Sequence, residues 1–245
     1  MRDTFSNQSF QYRLFQEHVS SVNNNLEILI AEGLVPIENI KSVRKQIFVN
    51  SFQCTISLFS EGQPLDIVRE KYLQNIGLME QCWVEEVVKF HTGRAPIYKN
   101  QYWLDDYCHM VWMLSIGILL KIDEKDFNRI CRLNEIMNIN DVLIRILSKK
   151  IDSNDTRNKE ITSYLPFKLL SQNLIKRGLF PSEIREYLKK WYQNSSKLYW
   201  YDLHIKRPEL FFGYWSFESA ALASLFKLPN NQIGSSPFFP QFDLE

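Results

Sequence analysis

The 245-residue sequence has few of the residues that break helices, with only 8 glycines and 9 prolines. Sandwiches and barrels of β-strands need frequent turns that contain these residues. No stretch alternates apolar and polar residues with the period of two that a half-buried strand requires. The scarcity of turn residues therefore argues against a sheet protein and favours helices.

The sequence also lacks a cysteine framework and a long hydrophobic run. Its four cysteines, Cys54, Cys82, Cys108 and Cys131, are far apart and form no CxxC pair, which argues against a disulfide scaffold or a zinc site. The longest apolar run, Met110–Leu120, is 11 residues, too short to span a bilayer. No apolar signal segment follows the first residues. We expect a cytoplasmic protein with reduced thiols.

An excess of charge of either sign is missing, since the formal net charge is +1. Bulk electrostatics therefore give no support for binding to nucleic acid or membrane. The two halves differ, however. Residues 1–126 contain 12 Lys and Arg against 16 Asp and Glu (net −4), and residues 127–245 contain 17 against 12 (net +5).

Sequence motifs of catalysis and cofactor binding are also missing. The chain contains no GxGxxG, no GxxxxGK[ST], no GxSxG and no HExxH. We therefore expect neither a phosphate-binding loop nor a cofactor.

Apolar residues make up 45% of the chain, and most of them recur at helical spacing. The pattern predicts an all-α, multi-helix bundle of about nine to ten helices. The predicted spans are 10–31, 36–62, 64–90, 101–121, 124–137, 142–150, 166–177, 182–194, 196–204 and 209–227. We expect a loop at 91–96, a linker at 151–160 and an irregular tail at 229–245. The span 101–121 is apolar on nearly every side, which places it at the centre of the bundle.

One candidate site is Asp105-Asp106-Tyr-Cys-His109. Asp105 and His109 are four residues apart and so share a helix face. They could bind a metal or act as an acid–base pair. The alternative, a histidine oriented by a carboxylate inside a bundle, is favoured because two ligands without a third do not make a metal site.

A second candidate is an acidic surface. It would combine the carboxylates near the end of the third helix with those of the central helix, namely Glu80, Glu85, Glu86, Asp105 and Asp106. Such a surface can meet a basic partner. The competing interpretation is an ordinary solvated helix face.

A third candidate is an aromatic cluster in the C-terminal half, which also contains Lys189, Lys190, Lys197, Lys206 and Arg207. Its members are Trp191, Tyr192, Tyr199, Trp200, Tyr201, His204, Phe211, Phe212, Tyr214 and Trp215. The rings could stack on bases or sugars. Packing within a helical core is the favoured alternative.

The segment GYWSFESAALASLFK (213–227) has one carboxylate, Glu218, on an apolar helix face. Helical spacing places it with Tyr214, Phe217, Ala221, Leu222 and Leu225. An isolated carboxylate there is costly. Glu218 must find a cation, donate as a neutral acid or bind a partner.

The chain resembles the bacterial immunity proteins that neutralise PoNe-type polymorphic nuclease toxins. The matching motifs are Leu165-Pro-Phe167, Tyr187-Leu-x-x-Trp-Tyr192, Trp200, Tyr201, His204, Gly213-Tyr-Trp-Ser-Phe-Glu-Ser-Ala-Ala-Leu-Ala223 and Pro240-Gln-Phe-Asp-Leu244. Arg2-Asp3 at the start also fits. The resemblance divides the chain into an N-terminal helical region (1–121), a connecting helix (122–134) and a C-terminal helical region (135–244).

The resemblance implies a cytoplasmic, non-enzymatic bacterial protein that binds and neutralises the DNase domain of a secreted cognate toxin. Such toxins resemble PD-(D/E)xK metal-dependent nucleases, which are delivered between bacteria. The implied partner is the toxin, with no direct binding to nucleic acid or membrane. The oligomeric state, a homodimer included, stays open.

The resemblance also implies which residues contact the toxin and which are structural. A DNase must bind DNA with a positive groove, so Glu80, Glu85, Glu86, Asp105 and Asp106 are the expected toxin contacts. The motif residues Gly213, Tyr214, Trp215, Phe217 and Glu218 are expected to be structural. We predict that Glu218 is buried and bonded either to Arg or Lys or to backbone N–H and Trp or Tyr donors. A metal-dependent helical hydrolase and a nucleic-acid-binding helical module are the alternatives.

Overall fold

The computed structural model describes residues 2–3, 9–89, 101–149, 161–162, 164–176 and 179–242. Within these ranges nearly all regular secondary structure is helical, which confirms the all-α prediction. The α-helices are α1 (Ser9–Ala31), α2 (Ile40–Glu61), α3 (Leu65–Glu80), α4 (Leu104–Leu119), α5 (Glu124–Met137), α6 (Val142–Leu147), α7 (Leu165–Lys176), α8 (Pro181–Asn194), α9 (Leu203–Lys206), α10 (Phe217–Leu225) and α11 (Asn230–Ile233). The predicted loop at 91–96 and linker at 151–160 lie outside the described residues.

Minor elements complete the described part. Three short 3-10 helices span Ile37–Asn39, Glu85–Val87 and Pro208–Leu210. Strands β1 (Val88–Lys89) and β2 (Gln101–Tyr102) form one antiparallel ladder, with Val88 opposite Tyr102.

The chain forms two compact units that do not follow its linear order. The first unit contains residues 1–83 and 202–214, and the second contains residues 84–201 and 215–245. The division of the sequence into regions 1–121, 122–134 and 135–244 comes from the family resemblance rather than from packing, and it stays a prediction.

In the first unit, α2 packs against both α1 and α3. Its core is rich in buried aromatic side chains, among them Tyr12, Phe15, Phe48, Phe52 and Phe59. Helix α2 ends at Gly62, whose φ of 96° is the left-handed conformation that glycine adopts without a steric penalty. The backbone N–H of Gly62 donates to the carbonyls of Leu58 and Phe59. The end predicted at Gly62 is confirmed.

Helix α3 begins after Pro64 as predicted but ends at Glu80, so its predicted continuation toward Phe90 is wrong. The chain turns at Gln81, and the next regular element is the 3-10 helix Glu85–Val87. Trp83 and Val87 are nevertheless buried. The apolar spacing marked which side chains are buried, but other backbone geometry buries them equally well.

In the second unit, α4 is the central helix and contacts α5, α6 and α10. Thirteen of its 16 residues are buried, which confirms the predicted central position within this unit. It begins at Leu104 rather than Gln101, because Gln101 and Tyr102 pair with β1. No helix in the described ranges is both long enough and apolar enough to cross a bilayer.

Two helices predicted near the C-terminus are wrong. Residues 196–202 form turns that lead into the four-residue α9, with Asp202 at a φ of 62°. The span predicted as 209–227 is α-helical only from Phe217 to Leu225. Gly213 has a φ of 113°, which no helical residue has, so the chain enters α10 four residues later. The tail, predicted as irregular, contains the short helix α11.

Candidate functional site

The buried carboxylate of Glu218 lies at the centre of a set of hydrogen bonds in the second unit. Oε1 accepts from the Tyr187 hydroxyl at 2.6 Å, from the Trp191 indole N–H at 2.7 Å and from the Ser216 hydroxyl at 2.7 Å. Oε2 accepts from the Trp112 indole N–H at 3.0 Å. We call Glu218 and these four donors the polar core.

The polar core joins elements that are distant in the sequence. Trp112 lies on α4, Tyr187 and Trp191 lie on α8, and Glu218 lies in the first turn of α10. None of the donors carries a charge. Of the partners predicted for Glu218, the Trp and Tyr donors are confirmed.

Burial sets the electrostatics of the polar core. Desolvation raises the pKa of Glu218 above its ordinary value, while hydrogen bonds from Tyr187, Ser216 and Trp191 act in the opposite direction. Burial, together with the neighbouring Glu218 carboxylate, raises the pKa of Tyr187 well above its ordinary range. Tyr187 therefore stays a hydrogen-bond donor at neutral pH.

Three tryptophans stack beside the polar core. Trp200 lies between Trp112 and Trp191, with ring centroids 5.7 Å and 5.2 Å away and interplanar angles of 25° and 21°. All three side chains are buried. The interpretation of this part of the aromatic cluster as packing core is confirmed.

The first unit contains the other end of the aromatic cluster. The Tyr214 hydroxyl lies 2.8 Å from Nδ1 of His204, and its ring packs edge-on against Phe211. The Phe212 carbonyl accepts from the buried Ser60 hydroxyl at 2.8 Å. Gly213 and Tyr214 thus contribute to the first unit, whereas Trp215, Phe217 and Glu218 contribute to the second.

Asp105 and His109, both on α4, contact the same tyrosine. The Asp105 carboxylate accepts from the backbone N–H of Tyr199 at 3.2 Å, and Nε2 of His109 lies 3.1 Å from the Tyr199 hydroxyl. The prediction that the two share a helix face is confirmed. Nδ1 of His109 lies 3.9 Å from the Asp106 carboxylate. This arrangement fits a histidine oriented inside a bundle. Among the residues described, no group of three or more His, Cys, Asp and Glu side chains is placed to hold a metal ion.

The acidic residues expected to contact a partner differ in their exposure. Glu80 of the first unit and Glu86 of the second are exposed, and Asp105 is half-buried. Asp106 is only 3% exposed, so its predicted place on an acidic surface needs correction. It lies on α4, which its neighbours cover on nearly all sides. The side chain of Glu85 lies outside the described part of the chain.

A surface that sequence reasoning missed lies between α1 and α2. We call residues 27–38 the hairpin tip. It exposes Ile28, Leu29, Leu34 and Ile37, at 45%, 39%, 63% and 84%. A signal was present in the sequence, because Ile28 lies opposite the apolar face formed by Val19, Val22, Leu26 and Ile30.

Comparisons with known proteins agree along most of the chain. Residues 31–132 match the N-terminal family model of PoNe immunity proteins (PoNi), and residues 139–244 match the C-terminal model. No curated protein matches the sequence. The fold is similar to that in the crystal structure of protein PA2201 from Pseudomonas aeruginosa, with a TM-score of 0.65 at 17% identity over 93% of this chain and 84% of that chain.

That structural similarity concerns the fold alone. The family assignment depends on the two sequence matches, which together include the polar core and the GYWSFE segment. The chain belongs to the PoNe immunity protein (PoNi) family.

Proposed function

We propose that this chain protects the cell that makes it from a cognate PoNe-type toxin by binding directly to the nuclease domain of that toxin. The observation that carries the proposal is the pair of family matches over residues 31–132 and 139–244. In this proposal the toxin is a DNase of the PD-(D/E)xK type, and inhibition takes place in the cytoplasm after the toxin has entered.

The contacts of the polar side chains support a binding scaffold rather than an enzyme. Asp105 and His109 both engage Tyr199, and Glu218 accepts four hydrogen bonds inside the second unit. Side chains used in this way stabilise the fold. These contacts favour the immunity function over the alternative of a metal-dependent hydrolase that uses Asp105, Asp106 and His109.

Electrostatics supply the proposed means of inhibition. A nuclease must neutralise the phosphates of DNA with Lys and Arg side chains. An acidic inhibitor surface competes for those cations and steers the two proteins together. We propose the exposed Glu80 and Glu86 as contributors to that attraction. The alternative of a nucleic-acid-binding module would instead require a positive surface.

The experiment is protection in cells followed by purification of the complex. The PoNe nuclease domain encoded nearest to this gene is expressed with and without the full-length chain. We expect survival only when the chain is present, and co-purification of the two proteins as a stable complex. Cell death in the presence of a well-expressed chain, with no complex, would contradict the proposal. An inactivated nuclease domain provides the control for toxicity.

A further inference from the structure

The hairpin tip groups apolar side chains at the surface of the first unit. Gly33 adopts a φ of 69°, and the N–H of Leu34 donates to the carbonyl of Leu29 at 3.0 Å. In this helix-ending geometry the side chains at the positions of Leu34 and Leu29 are commonly in contact. Ile37 follows after Pro36 and is the most exposed large apolar side chain among the described residues. Grouped exposed apolar side chains, unlike scattered ones, mark interaction surfaces.

Carboxylates alone provide the charge of the hairpin tip. Residues 19–40 contain Glu27, Glu32 and Glu38 and no Lys, Arg or His, and all three carboxylates are exposed. The first cation after this stretch is Lys41. The tip, residues 27–38, is thus an apolar centre with carboxylates around it, and an apolar centre with a polar rim is the usual arrangement of a specific protein interface.

A further carboxylate lies at the same end of the first unit. Arg44, one turn into α2, donates to the side chain of Gln81, which directly follows Glu80 at the end of α3. Glu80 therefore lies near the first turns of α2, where Arg44 is also found.

We infer that the hairpin tip is the surface on which the nuclease domain of the cognate toxin docks. The inference rests on the proposed function. It commits to a partner whose apolar contact surface is ringed by Lys and Arg, as expected of a protein that binds DNA. The negative charge of the tip favours this partner over a second copy of the chain or a membrane surface. Two copies of the tip would bring like charges together, and an anionic membrane surface would repel the tip as well.

The tip is suited to anchor a partner because its backbone is already ordered. The N–H of Gly33 donates to Ile30, and the N–H of Asn39 donates to Pro36, at 3.1 Å and 2.9 Å. Pro36 has few backbone conformations to lose. A preorganised apolar anchor loses little conformational entropy on binding.

The test measures the affinity of the full-length chain for an inactivated copy of the PoNe nuclease domain encoded nearest to its gene. The tip variants are Ile37→Lys and the double variant Leu34→Ser/Ile37→Ser. The matched control is Ile136→Lys on α5, because Ile136 is 72% exposed and lies outside the tip. Substitutions at such exposed positions change stability little, and thermal melts verify this for each variant.

We expect both tip variants to lose affinity by about thirty-fold or more, as for an interface hot spot, whereas the control stays within about two-fold of the wild type. Replacing Glu27, Glu32 and Glu38 by Gln should slow association at low salt and flatten its dependence on salt. If the wild-type chain binds and protects, and the tip variants bind with the same affinity as the wild type, the tip is not the docking surface. The proposed function is then unaffected. A wild type that neither binds nor protects overturns the proposed function and the tip together.

Discussion

At the scale of single residues, Glu218 is a side chain on which the core of the second unit depends. Its carboxylate is fully buried and accepts from Trp112, Tyr187, Trp191 and Ser216. Glu218→Ala leaves these donors without an acceptor, so we expect the free energy of unfolding to fall by about 3–5 kcal/mol. Urea unfolding followed by tryptophan fluorescence measures the change.

Tyr187→Phe provides the comparison for this prediction. It removes one donor to Glu218 and keeps the ring, so we expect a loss of only about 1–2 kcal/mol from a bond of 2.6 Å. An alanine variant of Glu218 with a stability within about 1 kcal/mol of the wild type would show that the carboxylate is dispensable.

The raised pKa of Glu218 predicts a pH dependence of stability. Burial makes the folded protein hold the proton of Glu218 more tightly than the unfolded chain does. The advantage of the wild type over Glu218→Gln, which does not titrate, should therefore be largest near pH 4 and should decrease as the pH rises through the folded pKa. Urea unfolding of both proteins between about pH 4 and 8 tests this. An advantage that increases with pH would mean that the pKa is lowered instead.

The sequence predicted that Glu218 is buried and hydrogen-bonded, but it did not predict which residues are its partners. The apolar surroundings of the carboxylate dictated burial and hydrogen bonding. Its partners could not be derived, because Trp112, Tyr187 and Trp191 come from α4 and α8 and are set by helix packing. The stacking of Trp200 between two other tryptophans is likewise a tertiary feature.

At the scale of elements, the helix ends show where local chemistry decides the structure. Asp141 is the N-cap of α6, where its carboxylate accepts from the N–H of Ile144 at 3.0 Å and from the Tyr107 hydroxyl at 2.8 Å. Asp123 is the N-cap of α5 but makes no capping bond through its side chain. We expect Asp141→Ala to cost about 2 kcal/mol and Asp123→Ala less than about 0.5 kcal/mol.

Thermal and urea unfolding of the two aspartate variants gives this comparison directly. If both variants lose the same free energy of unfolding, the loss comes from the N-cap position itself and not from the hydrogen bonds of Asp141. The Asp123 variant also serves as the control for removing a negative charge near a helix N-terminus.

Another element-scale feature is a lysine in a left-handed conformation just after a helix. Lys121 follows α4 with a φ of 49°, and the N–H of Ile122 donates to Gly117 at 3.2 Å in the geometry that glycine usually completes. Lys121→Gly removes this strain, so we expect a gain of about 0.5–1 kcal/mol after the larger chain entropy of glycine is included.

Arg132→Gly is the matched control, since Arg132 is an exposed basic residue inside α5. There glycine should cost about 1 kcal/mol. Differential scanning calorimetry of the two variants should show melting temperatures that move in opposite directions. A lower melting temperature for Lys121→Gly would contradict the strain argument.

Helix boundaries could be predicted where local chemistry sets them, and could not be predicted where tertiary packing sets them. The end of α2 at Gly62, and the start of α8, predicted at 182 and found at Pro181, depend on local backbone chemistry. The early end of α3 and the late start of α10 were not predictable. In both cases buried side chains kept their helical spacing in the sequence while the backbone took other forms.

At the scale of the whole molecule, charge is the property that ties the proposed function to a partner. The negative half of the sequence includes the exposed Glu80 and Glu86. We expect Glu80→Lys/Glu86→Lys to slow association with the nuclease domain by about ten-fold at low salt, and to have less effect at high salt, because screening removes long-range attraction. Stopped-flow kinetics at several salt concentrations measures this. An unchanged rate at low salt would contradict the electrostatic mechanism.

Family membership could be recognised from the sequence because its motif residues have structural tasks in each unit. Tyr214 contacts His204 in the first unit, and Glu218 centres the polar core of the second. The exposed apolar tip was missed because helical periodicity, although it places Ile28 away from the core, does not show what such a residue contacts. A partner surface is therefore the part of the molecule that periodicity predicts least.

The measurement that tests direct inhibition most simply is a titration of nuclease activity. Purified full-length chain is added to the purified PoNe nuclease domain, and cleavage of plasmid DNA is followed. We predict that cleavage falls in proportion to the added chain and stops near about one equivalent, as for tight binding. Cleavage that continues undiminished in the presence of excess, folded chain would contradict the account.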